Sequence, residues 1–352
     1  MMFAADRLAD WDLAQRAGAL AAGRGDPVPA YERARMADDF TWAVTEAEGL
    51  VREFTGLAAG RVATRAWTMS RADWVRSNLR GFQIAIEPVA ARLTKGERED
   101  GPAAAARRAV LGAQIGGLLG YVARRVLGQY DLFLPPDDEG LLYFVGPNIA
   151  DVERKYGFPG REFRLWIALH EVTHRVQLGG VRWLAGYIQE LLRGYLDGLD
   201  LEPGAFAGRI ARALEEARHD GGDWRDVGWI SLLMTADQRE VVRKVQALMT
   251  LLEGHASFVM NRVAPAHVPQ AALFDRRLNE RRQARGIDRA FRRLVGFEAK
   301  VRQYAAGERF VTAAVERAGM EGFNVVWSSP ANLPTLEEIA RPEDWTRRVA
   351  GA

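Results

Sequence analysis

The sequence of 352 residues contains no cysteine. Disulfides and thiolate metal sites are therefore excluded, and a bound metal would need His, Asp or Glu ligands. Lysine is nearly absent: Lys95, Lys155, Lys244 and Lys300 are all there is, and arginine carries the remaining positive charge. With 48 Lys+Arg against 46 Asp+Glu the net charge is only +2, so charge selects neither a nucleic-acid nor a membrane partner. Long hydrophobic runs are also missing. The most apolar stretch, Val110–Val122, spans about 13 residues, too few to cross a bilayer. Its glycines Gly112, Gly116 and Gly120 suit a helix packed closely against a neighbour inside a core. The first residues carry Asp6, Asp10 and Asp12 and have neither the basic nor the apolar region of a signal peptide, so a cytoplasmic location is the expectation.

What is present is ordinary for a globular protein: 48% hydrophobic and 27% charged residues, on a chain long enough to bury a large core. The pattern predicts a mainly α fold with a small β element. An N-terminal helical region, residues 1–120, is expected to pack on a catalytic region, residues 121–352, in one continuous unit. Helices are predicted over Asp10–Ala22, Tyr31–Leu57, Arg71–Leu93 with Ser70 as N-cap, and Pro102–Leu127. Two short apolar runs, Tyr130–Leu134 and Leu141–Val145, read as strands joined by a Pro- and Asp-rich turn. A further helix is expected over Phe206–Arg218, a short strand over Asn324–Trp327, and a closing helix or two over Thr335–Val349.

Only five histidines occur, and two of them fall in Leu169-His170-Glu171-Val172-Thr173-His174. Residues four apart share one face of a helix, so His170 and His174 can grip one metal ion. Glu171 is placed to act as general base on a water held there, the chemistry of a zinc hydrolase. The bland alternative is a helix with two satisfied histidines. The surrounding Arg161–Leu178 reads as an amphipathic helix between Pro159-Gly160 and Gly179-Gly180.

A third ligand is expected from a second long helix. Thr235 and Gln238 form a capping box, and Val242, Val245, Leu248, Met249, Leu252, Ala256, Val259, Met260 and Val263 follow at helical spacing up to Pro265. Glu253 lies on this apolar face, where a carboxylate is expensive unless paired or metal-bound. His255 competes for the role but points about 200° away from Glu253, so the two cannot serve one ion. Glu253 is the preferred ligand, and His255 takes a supporting or structural role. Gly254 suggests a close approach by a neighbouring backbone or a metal. Leu273–Arg302 holds ten Arg/Lys against four Asp/Glu, but the interleaved acids read as a solvated helix face rather than a nucleic-acid surface.

The segment His170–His174, followed by Glu253-Gly254-His255-Ala256, resembles the gluzincin pattern. More closely the chain resembles the zincin-like hydrolase family, uncharacterised in activity, some of whose members are associated with deazaflavin-coenzyme biosynthesis. That resemblance rests on Arg71-Ala72-Asp73-Trp74-Val75, the His-Glu-x-x-His segment with Arg175-Val176-Gln177, and Leu251–Ala256. It continues through Phe297–Lys300, Gln303-Tyr304 and Asn332–Thr335. It implies a zincin-like metallopeptidase fold, Zn²⁺ held by His170, His174 and Glu253, Glu171 as the catalytic base, and a peptide or protein substrate. Gluzincins commonly carry an Asp four residues after the Glu ligand, where it orients the first His; here that position is Ser257, leaving Ser257 and His255 as the candidate supports. Tyr187, His219 and Tyr304 are candidates for stabilising an oxyanion. The competing reading is a catalytically inactive zincin-like scaffold that binds a partner.

Overall fold

The computed structural model describes residues 8–58, 60, 62–93, 101–130, 140–197, 235–283 and 297–351. In chain order these form α1 (Trp11–Ala22), α2 (Ala30–Thr55), β1 (Arg65–Met69), α3 (Arg71–Leu93), α4 (Pro102–Ala123), β2 (Gly128–Tyr130) and β3 (Leu141–Val145). Then come α5 (Gly146–Tyr156), α6 (Gly160–Gly180), α7 (Leu184–Asp197), α8 (Ala236–His267), α9 (Ala271–Gln283) and α10 (Phe297–Asn324). The fold is mainly α with one three-stranded sheet, as its composition of helical periodicities predicts.

The sheet runs β1-β3-β2, with β1 parallel and β2 antiparallel to β3. β3 is a strand read from sequence; of the other, Tyr130–Leu134, only Tyr130 is described, as the last residue of β2, and residues 131–134 lie outside the described residues. β1 was not foreseen. Its five residues, Arg-Ala-Trp-Thr-Met, alternate between exposed and partly buried and end on buried Met69, too weak a pattern to announce a strand. α5 is not among the sequence expectations either; Pro147 sits in its first turn, where Pro is well tolerated. Asn324–Trp327, expected as a strand, is a 3₁₀ turn over Val325–Trp327 following α10, so its apolar run reflects burial rather than extension. α4 stops at Ala123, short of Leu127, and α8 carries Pro265 in its last turn, where fewer backbone bonds remain to be lost. The predicted helix 206–218 lies outside the described residues.

Side chains alternate across β3. Tyr143 and Val145 face a cluster with Trp11, Ala14, Trp74 and Val75 from α1 and α3. Leu142 and Phe144 face the larger core built from α2, α6, α8 and α10. Phe40 of α2 stacks on Phe144 at 3.9 Å between ring centroids. In the first cluster α1 crosses α4 backbone to backbone: Cβ atoms at Gly112, Gly116 and Gly120 would stand 2.1–2.4 Å from carbonyl oxygens of Asp10, Ala14 and Gly18. The glycine spacing of Val110–Val122 therefore serves helix packing within the fold. No helix among the described residues is long and apolar enough to cross a membrane.

Two polar locks hold α6 in place. Arg164, 5% exposed, donates from Nε and Nη2 to the Glu153 carboxylate at 2.9 and 2.8 Å, and from Nη1 to Asp39 at 2.6 Å. This ties the start of α6 to α5 and α2. Burial pushes the Glu153 carboxyl upward, against the pull of Arg164. At the other end of the helix, the wholly buried Arg175 donates to the Val62 carbonyl at 3.0 Å.

Candidate metal centre

α6 is buried nearly all round. From Phe163 to Gln177 every residue is buried except His170 and His174, which share one line of the helix surface. Their Nε2 atoms are 3.2 Å apart. Glu253 reaches them from α8, which packs against α6, and its Oε2 lies 3.5 Å from each of the two nitrogens. The three are the group among the described residues whose ligand atoms converge closely enough to hold a metal ion.

The donor set fits such an ion. For bonds of about 2.0–2.2 Å in tetrahedral geometry, ligand atoms stand roughly 3.3–3.6 Å apart. The observed separations of 3.2, 3.5 and 3.5 Å match that edge length. Glu253 Oε2 is buried and makes no hydrogen bond, although it is a carboxylate oxygen with two imidazoles in front of it. The attraction between them acts across a gap rather than through a direct bond, as expected of atoms arranged around a common centre.

Electrostatics follow from this crowding. Burial alone would raise the Glu253 carboxyl, but the contacts and charges of His170 and His174 outweigh it and hold the group well below the usual carboxylate range. Burial would lower the His174 imidazole; Glu253 and the Glu171 charge reverse that and push it up to about 9. Glu171 itself is raised, chiefly by burial, against the pull of the two imidazoles and of the Tyr130 backbone N–H bonded to its carboxylate.

That last contact shows how the sheet serves the site. β2 runs along α6, and a Cβ on Gly128 would stand 2.6 Å from Glu171 Cγ and 2.9 Å from Oε1. Glycine at 128 thus lets the strand close over Glu171, and Tyr130 two residues on supplies the N–H. Nothing in the sequence around Gly128 marks this contact; it depends on pairing between segments more than forty residues apart.

The structure brings together His170, His174, Glu253 and Glu171 as the sequence pattern implied. The candidate supports fare differently. Ser257 makes no hydrogen bond to either imidazole among the described residues, and Nδ1 of His170, the first His that such a support would orient, is buried without a hydrogen-bond partner among them. His174 Nδ1, by contrast, has a partner in Gln177 Oε1, at 3.0 Å on the next turn of the same helix. His255 is completely buried, 2.9 Å from Gln177 Nε2 and stacked beside Phe323 and Trp327. Burial, then the nearby His174 charge, pulls the His255 imidazole down to about 3, so it is neutral. Gln177 was quoted in the sequence pattern but given no role; its i+3 spacing from His174 was the available signal. Gly254 packs on the backbone of Gly307 in α10, where an added Cβ would meet Gly307 C at 2.2 Å. Of the two approaches its presence suggested, the backbone is the one the fold uses. Tyr187 lies on α7, paired edge-on with Trp183, while His219 and the Tyr304 side chain lie outside the described residues.

Residues 9–346 match the zincin-like metallopeptidase family. The chain belongs to that family. A crystal structure from Chloroflexus aurantiacus, of a protein proposed to be a hydrolase and described as having a novel fold, is similar over nearly its whole length. It has a TM-score of 0.71 and 32% sequence identity, covering 97% of this chain and 98% of that one. No curated protein matches the sequence. The family description implies a metal, and the group His170, His174 and Glu253 could hold one.

Proposed function

We propose that the protein is a zinc-dependent hydrolase, a metallopeptidase acting on a peptide or protein substrate, with His170, His174 and Glu253 as ligands and Glu171 as general base. The observation that carries this reading is the convergence of two imidazole nitrogens and one unbonded carboxylate oxygen at the edge lengths of a tetrahedral site. Nitrogen and oxygen donors without thiolate, three from protein, are the set of catalytic rather than structural zinc. When bound, zinc supplies a Lewis acid that acidifies water and polarises a carbonyl.

The chain's own residues would do the rest. Glu171 takes the proton of the attacking water on its carboxylate and returns it to the departing amine nitrogen. Its raised pKa makes the carboxylate a stronger base for the first transfer, and a pKa nearer the working pH balances taking the proton against giving it back. Gly128 and Tyr130 keep the carboxylate in place beneath β2.

The test is metal analysis of the purified protein combined with Glu171→Gln. Bound zinc should be present and survive this substitution, while hydrolysis of peptide substrates falls by about 10²–10⁴-fold. His170→Ala should lose the metal. Wild-type protein that takes up no zinc, or a Glu171→Gln variant as active as wild type, defeats the reading.

A further inference from the structure

The side-chain amide of Gln177, completely buried on α6, touches three groups. Nε2 lies 3.0 Å from the Leu252 carbonyl oxygen and 2.9 Å from His255 Nδ1, and Oε1 lies 3.0 Å from His174 Nδ1. The Leu252 carbonyl can only accept, so the amide end that faces it is the NH₂. Every other direction follows. Gln177 Oε1 accepts from His174 Nδ1–H, which leaves the lone pair of a neutral His174 on Nε2, facing His170 and Glu253. The second N–H of Gln177 donates to His255 Nδ1. His255 therefore carries its own proton on Nε2, an atom without a hydrogen-bond partner beside the Phe323 and Trp327 rings.

We propose that Gln177 is a positioning residue for the metal: an amide clasp that fixes the tautomer and ring plane of His174 and, through Leu252, the spacing between α6 and the helix carrying Glu253. His255 is the far anchor of this clasp. The inference rests on His170, His174 and Glu253 being the ligands. Leu252 immediately precedes Glu253, so one side chain links a ligand on one helix to the backbone beside a ligand on the other. A carboxylate is a common orienting partner for a metal-bound His. At this position it would fail, because a second oxygen would face the Leu252 carbonyl and the His255 Nδ1 lone pair, acceptor against acceptor. Only an amide offers one accepting and one donating end.

The experiment uses the full chain and four variants: Gln177→Met, Gln177→Glu, His255→Phe and His255→Asn. Zinc affinity is read by competition with a chromophoric chelator, and imidazole protonation by nitrogen-15 NMR of labelled histidines. Gln177→Met and Gln177→Glu should each bind zinc about 10–100-fold more weakly, the usual cost of removing a partner of a ligand. His255→Phe keeps a ring but loses the acceptor and should weaken zinc binding about tenfold, whereas His255→Asn presents Oδ1 to Gln177 and should stay within about threefold of wild type. In metal-free wild type, His255 should show Nδ1 unprotonated, with a shift that changes in Gln177→Met. Wild-type zinc affinity in Gln177→Met and His255→Phe, or equal losses in His255→Phe and His255→Asn, would overturn the clasp. Absence of zinc binding in wild type would instead overturn the ligand assignment, and the His255 signal would still decide whether the clasp exists.

Discussion

His170 and His174 hold their Nε2 atoms 3.2 Å apart on successive turns of α6. Two imidazole lone pairs cannot face each other at that distance without a proton or a cation between them. In the metal-free protein the proton belongs to His174, whose pKa is pushed up to about 9 by Glu253 and Glu171 against the effect of burial. Zinc must displace it. Calorimetry in buffers of different ionisation enthalpy should show about one proton released per zinc bound near pH 7, with affinity rising about tenfold per pH unit and levelling off above about pH 9. Proton-independent binding would refute this.

His174 and Glu253 shape the pH profile of metal-free stability. The raised His174 pKa contributes stability that is fully present below its unfolded value of about 6.5 and is lost as pH rises through about 9. The depressed Glu253 pKa contributes stability present above about 4.5 and lost as pH falls through its folded value. Glu171 and Glu153, both raised, act in the opposite sense to Glu253 in the acid range, so the alkaline limb is the cleaner one. Melting temperature of the metal-free protein should decline between about pH 6.5 and 9, and zinc should flatten that decline.

Gly128→Ala should separate base from metal. The new methyl would stand 2.6 Å from Glu171 Cγ and push the carboxylate aside. Zinc content should be unchanged while peptide hydrolysis falls by about 10²-fold, the scale of a displacement near 1 Å. Loss of zinc as well would mean that β2 supports the ligands rather than the base.

Gly254→Ala tests the crossing of α8 and α10. With Gly307 C only 2.2 Å from the added Cβ, the backbones must part, at a cost of about 1–3 kcal/mol. Because Glu253 is the preceding residue, zinc affinity should fall with stability, measured by chelator competition and urea unfolding. A stable variant with native affinity would show that the crossing does not hold Glu253.

Arg164→Ala should cost about 3–5 kcal/mol in urea unfolding, since it strands the buried Glu153 carboxylate and leaves the partly buried Asp39 with only Arg35 nearby. A loss below about 1 kcal/mol would place these groups in the range of exposed pairs.

The convergence of His170, His174 and Glu253 was legible in the sequence because each part follows from helical geometry. The spacing of His170 and His174 puts them on one face, and an acid within the apolar stripe of α8 needs a reason to be there. What failed to show was whatever depends on contacts between distant segments. β1 has no strong alternation because its identity comes from pairing with β3. Gly128 looks like any loop glycine until β2 is laid over Glu171. Ser257 was the expected support of His170 by analogy of position, yet the imidazole that gains a support is His174, from Gln177, whose side chain spans one helical turn.

β3 has apolar residues on both faces, Leu142 and Phe144 on one, Tyr143 and Val145 on the other. Hydrophobicity alone would tolerate a shift of one residue, since either set could enter either core. Alignment is therefore left to the pairings with β1 and β2, Trp67 opposite Tyr143 and Gln129 opposite it on the other side. A slip there would carry the Tyr130 amide about 3.4 Å along α6 and leave the Glu171 carboxylate without its donor. The register of three short strands in the amino-terminal half thus decides whether the one backbone N–H that opposes the effect of burial on Glu171 is in place.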